Sequence, residues 1–167
     1  MIRKSNLLSL MIALLLPVMG GLGVGMLTGR SVKTWYATLK KPTWNPPSWI
    51  FAPVWTLLYG MMGFASWLVW RTDADREAGA RDALTWYGFQ LGLNYLWSII
   101  FFGLRLPGLA LFEIGVLWSA IMVTLIKFAR INNLVIALLI PYQLWVTFAA
   151  ALNGAVWWLN RDKQRTS

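Results

Sequence analysis

LLSLMIALLLPVMGGLGVGML, residues 7–27, runs for 21 positions without a charged side chain. A bilayer core about 30 Å thick takes about 20 helical residues to cross, so this stretch is long enough to span it. Arg3 and Lys4 precede it, as cations precede a secretory leader. Its length, its Pro17 and the lack of a small-x-small cleavage site mark it instead as a retained transmembrane helix.

Four further apolar runs follow, at about 49–70, 83–102, 107–128 and 134–159. Pro53 falls in the first turns of the second and Pro107 opens the fourth, positions where a missing N–H does little harm. The turn Gly103-Leu104-Arg105-Leu106 is so short that the fourth run returns antiparallel beside the third. Ala129 to Asn133 makes another tight turn. Pro141 lies inside the fifth run, where it is expected to free the carbonyl of Ala137 and kink the helix. Residues 28–48 are basic and rich in Trp and Pro, and Pro42, Pro46 and Pro47 predict a stiff, extended loop. Arg71 to Asp82 alternates charge and reads as a solvated loop. The expectation is an all-α polytopic integral membrane protein, one domain over 1–167, built as a bundle of five transmembrane helices.

Composition agrees. The chain is 58% hydrophobic and 13% charged, and a soluble fold of this size has no core large enough to hide so much apolar surface. Its net charge of +9 sits at the ends of apolar runs, where cations meet lipid headgroups, rather than in a basic stripe for nucleic acid. Arg3, Lys4, Arg71, Arg76, Arg81, Lys127 and Arg130 fall on the amino-terminal side, seven in all, against eight opposite: Arg30, Lys33, Lys40, Lys41, Arg105, Arg161, Lys163 and Arg165. Seven against eight leaves orientation undecided. Cysteine and histidine are absent, which removes thiolate nucleophiles, disulfides, His metal sites and His relays. Neither a metal nor a resident cofactor is expected.

Twelve tryptophans remain to be placed. Trp35, Trp44, Trp49, Trp70, Trp86, Trp157 and Trp158 lie near span ends and suit an aromatic belt. Trp55, Trp97, Trp118 and Trp145 lie deeper. Helical spacing puts Trp55, Tyr59 and Gly63 on one face of the second span, and Gln90, Asn94 and Trp97 on one face of the third. On the fifth, the stripe is Pro141, Trp145, Ala149 and Leu152 or Asn153. Turned together, with small residues at Gly63 and Ala149 leaving room beside the rings, these faces would wall a slot for a planar aromatic ligand. Helix–helix packing accounts equally well for the deep rings. Interhelical hydrogen bonding, about 0.6 kcal/mol each on average, is the simplest use of Gln90, Asn94, Gln143 and Asn153. Glu113 is the one acidic residue well inside a span, a position that defaults to function or packing. Gly21-x-x-x-Gly25 and Gly88-x-x-x-Gly92 are close-packing motifs, the second suited either to a homodimer or to admitting a neighbouring helix.

WYATLKKPTWNPPSWIFAPVWTLLYG at 35–60, LNYLWSIIFFGLR at 93–105 and PYQLWVTFAAALN at 141–153 resemble the translocator protein family, also called tryptophan-rich sensory proteins or peripheral benzodiazepine receptors. The resemblance covers essentially the whole chain in order. It implies five helices, a homodimer, and a pocket that takes porphyrins and synthetic aromatic drugs. By position the pocket would include Trp44, Trp49, Trp55, Asn94, Trp97, Trp145, Ala149 and Leu152. It further implies, for bacterial members, that Trp55 and Trp145 act in light-dependent breakdown of protoporphyrin IX. Two departures stand out. The tyrosine and arginine of the animal sterol motif are replaced by Gly154 and Trp158, which argues against sterol binding and suggests a bacterial source. Leu109 stands where animal members carry tryptophan. The leading expectation is a membrane receptor or carrier for porphyrins and other flat apolar molecules. The alternatives are photo-oxidative degradation through Trp55 and Trp145, and a proton-linked transporter working through Glu113.

Overall fold

A computed structural model describes residues 4–72 and 77–164. Arg3, Arg76 and Arg165 of the flanking cations, and residues 73–76 of the expected solvated loop, lie outside them. Five helices carry the chain: α1 (Lys4–Ser31), α2 (Phe51–Thr72), α3 (Glu77–Ser98), α4 (Pro107–Ala129) and α5 (Leu134–Gln164), with no strand among the described residues. Four stretches are long and apolar enough to cross a bilayer: Asn6–Tyr36, Ser48–Thr72, Pro107–Ala129 and Leu134–Arg161. α3 is long enough but more polar, opening with Glu77, Arg81 and Asp82 and carrying Gln90 and Asn94. Those two amides are each only 1% exposed, turned to partners inside the bundle as a membrane interior demands.

Several boundaries move. The first helix does not stop near residue 27: α1 runs to Ser31 and passes through a π-helical turn, Val32–Tyr36. Residues 28–36 of the expected loop are therefore helical. No proline falls between Thr28 and Pro42, and the hydroxyls of Thr28 and Thr34 bond back to the carbonyls of Val24 and Arg30 at 2.8 and 2.9 Å, so polar residues at the lipid boundary are served within the helix. α3 likewise begins at Glu77, not Ala83, shortening the loop after α2, and α5 continues past Leu159 to Gln164. α5 is one continuous helix through Pro141. α3 ends in a second π turn, Ile99–Gly103, from which Leu104 N–H reaches the Ile99 carbonyl at 2.8 Å. Arg105, the one non-glycine with positive φ among the described residues (60°), then turns the chain into Pro107.

Gly63 has a different task from the one its spacing suggests. A β-carbon there would collide with the carbonyl oxygen of Ala13 on α1. Pro17 stands four residues after Ala13 and removes the N–H that this carbonyl would take in a regular helix. Gly63 thus admits a carbonyl of α1 that has lost its regular helical donor, rather than making room beside an aromatic ring. Gly21 is covered by the Tyr59 ring, whereas Gly25 faces open space, so that close-packing motif works through its first member. Trp67 Nε1 donates to Ser9 Oγ at 3.2 Å and Tyr95 Oη to the Pro17 carbonyl at 2.9 Å, holding α1 against α2 and α3.

Gly63→Ala is expected to lower stability by about 1–3 kcal/mol through overpacking of backbone on backbone. Gly115→Ala, whose β-carbon meets nothing within 4 Å, is expected to leave it unchanged or slightly raised. Thermal unfolding of the two variants in the same detergent checks the contrast.

Candidate ligand-binding site

The Pro-rich segment 39–50 lies across the end of the bundle where α1 and α5 finish and α2 begins. It is tied down at defined points. Lys40 N–H donates to Asn160 Oδ1 at 3.0 Å, and Asn160 Nδ2 donates back to the Lys40 carbonyl at 2.9 Å. The amide of a 2% exposed side chain on α5 thereby pairs with both backbone groups of one residue of the segment as a strand would. Tyr36 Oη donates to Asn45 Oδ1 at 2.9 Å, and Asn45 Nδ2 to the Pro46 carbonyl at 3.0 Å. Lys41 Nζ sits 4.8 Å from the centre of the Tyr36 ring and donates to the carbonyls of Ala37 and Leu39, serving the last carbonyls of the first helix.

Beneath this segment α2 and α5 meet along an aromatic seam. Phe51 and Trp145 pack edge to face with centroids 6.0 Å apart, Trp145 lies 5.4 Å from Phe148, and Trp44 covers Phe148 from the segment at 5.8 Å. One turn deeper on α2, Trp55 stacks on Tyr59 at 5.6 Å and meets the edge of Tyr142 at 6.3 Å. Indole N–H groups in buried places normally find acceptors. Those of Trp67, Trp97 and Trp118 find Ser9, Asn153 and Thr147. Trp145 Nε1 is buried with no partner.

A chain of hydrogen bonds runs below the seam. Tyr59 Oη donates to Asn94 Oδ1 at 2.7 Å, Asn94 Nδ2 to Tyr142 Oη at 3.1 Å, and Tyr142 Oη to Gln90 Oε1 at 2.8 Å. Gln90 Nε2 ends it at the Met62 sulfur, 3.8 Å away. Tyr142 is the hub, fully buried, and nothing in its span marked it beforehand. The available signal was a phenol amid apolar residues, since a hydroxyl at that depth needs a partner.

The expected site residues divide among three places. Trp44, Trp55, Tyr59 and Trp145 line the seam, and Asn94 stands directly behind it. Trp97 stacks on Phe101 and meets the edge of Phe102, and Trp35 meets the edge of Phe101. Its N–H is held by Asn153, whose own amide donates to the Pro107 carbonyl at 2.8 Å. Ala149 and Leu152 are buried on α5. Trp49, 72% exposed, and Pro141, also exposed, lie at the surface. Leu109 is 50% exposed on α4. The bonds of Asn94 and Asn153 are spent between helices.

Residues 13–159 match the TspO/MBR family. The chain belongs to it. A tryptophan-rich protein TspO of Archaeoglobus fulgidus is 39% identical over 155 residues, covering 93% of this chain and 99% of that protein. The translocator protein of Sus scrofa is 38% identical over 151 residues, 90% of this chain and 87% of its own. A tryptophan-rich sensory protein of Cereibacter sphaeroides is 35% identical over 153 residues, with shares of 90% and 94%. As a TspO/MBR member with several apolar helices, the chain is an integral, multi-pass membrane protein. The family's names speak of translocation and sensing, and a membrane receptor or transporter role is what membership supports.

Tyr142→Phe strands both Asn94 Nδ2 and Gln90 Oε1, whereas Tyr59→Phe strands only Asn94 Oδ1. Each buried group left without a partner costs about 1–3 kcal/mol. Tyr142→Phe is therefore expected to lower the unfolding temperature clearly more than Tyr59→Phe, as read by differential scanning fluorimetry in detergent.

Proposed function

We propose that this TspO/MBR protein is a membrane receptor or carrier that binds porphyrins, protoporphyrin IX among them, and other flat apolar molecules. The ligand lies against the α2–α5 aromatic seam under segment 39–50. The observation that carries this reading is Trp145: a buried indole N–H without an acceptor, between Phe51 and Phe148, offers a flat ligand both a stacking face and a hydrogen-bond donor. Removing such an anchor at the centre of a site costs about 1–3 kcal/mol. Protoporphyrin IX is expected to quench tryptophan emission of the purified protein, with affinity about tenfold weaker in Trp145→Phe. Absence of quenching at micromolar ligand rules the reading out.

A second reading, light-driven degradation of the bound porphyrin, is favoured by the contact of Trp55 with two hydrogen-bonded phenols, Tyr59 and Tyr142. Under illumination, porphyrin absorbance is then expected to decay faster with wild type than with Trp55→Phe/Trp145→Phe. Equal decay leaves the protein a binder alone.

The outer face of α3 supports a homodimer. Gly88 and Gly92 are exposed with nothing near their missing side chains, beside Phe89 at 51% and Leu96 at 42% exposure. A second copy packing there would cover this face.

A further inference from the structure

Glu113 takes no part in the seam or in the hydrogen-bonded chain behind it. It lies near the middle of α4's first half, 6% exposed, and both carboxylate oxygens are buried with no hydrogen-bond partner. The structure also leaves Gln143 Oε1, on α5, buried and without a donor, while Gln143 Nε2 reaches back to the Trp118 carbonyl of α4 at 3.5 Å. No described lysine or arginine is paired with Glu113, so its carboxylate lacks a positive partner. A bare carboxylate so placed in a membrane is costly, and one proton supplies both the missing charge and a donor.

The surroundings limit what else could titrate there. On α5 the buried ionisable side chain is Tyr142, bonded to Asn94 and Gln90. On α3, Asp82 is paired with Lys127 and Tyr87 lies against Phe128; those α4 positions are 14 and 15 residues beyond Glu113, about 21 Å or more along the helix. On α2, Tyr59 is bonded to Asn94.

We propose that Glu113 is a proton-binding site on α4, with the proton held on a buried carboxyl that no other group of the bundle serves.

Infrared difference spectroscopy of the unliganded, full-length protein tests the site. Wild type is expected to show the carbonyl band of a protonated carboxyl, shifted in heavy water, lost in Glu113→Gln and retained in Glu113→Asp. A wild type without the band, or a band that survives in Glu113→Gln, overturns the site.

Discussion

Inside a bilayer no water is available to a polar group, so each must be served by another part of the protein. The chain Tyr59–Asn94–Tyr142–Gln90 is where that constraint acts most strongly here. It joins α2, α3 and α5 through side chains that have no alternative partners at that depth. Hydrophobic association does little to choose between helix arrangements in lipid, because lipid tails are as apolar as leucine. Directional bonds and close backbone contact make the choice instead. The aromatic seam inherits its geometry from this arrangement: Trp55 stands where it does because Tyr59, on which it stacks, is pinned to Asn94.

Close contact is the second determinant. Pro17 leaves the Ala13 carbonyl without its helical donor, and Gly63 is the residue that lets α2 come against it. The two positions lie in different helices and read separately as a tolerated proline and a small residue. Their pairing makes one joint between α1 and α2, reinforced by Trp67 on Ser9 and by Tyr95 on Pro17.

Much of this was legible in the sequence, for physical reasons. Apolar runs of spanning length located the helices, and four-residue spacing put Trp55 and Tyr59 on one face, where the structure stacks them. What periodicity does not encode is the identity of the neighbour, because lipid-facing and bundle-facing sides of a membrane helix are equally apolar. Hence Gly63 read as space for a ring, and Tyr142 was passed over. The extension of the first helix to Tyr36 was hidden by polar composition, since Thr28 and Thr34 satisfy themselves within the helix. α3 shows the converse: polar enough to fall short of its neighbours in apolarity, it is held in the bundle by the amides that make it polar.

The clamp between Lys40 and Asn160 joins residues 120 positions apart. During synthesis the Pro-rich segment emerges long before the helix that fastens it, and helices enter a membrane in chain order. Until α5 is in place, neither the Asn160 tether nor Trp145 and Phe148 exist for the segment to settle on. The aromatic seam therefore forms only once α5 is in place, and a chain arrested before that helix carries Trp44 and Trp55 with nothing to close over.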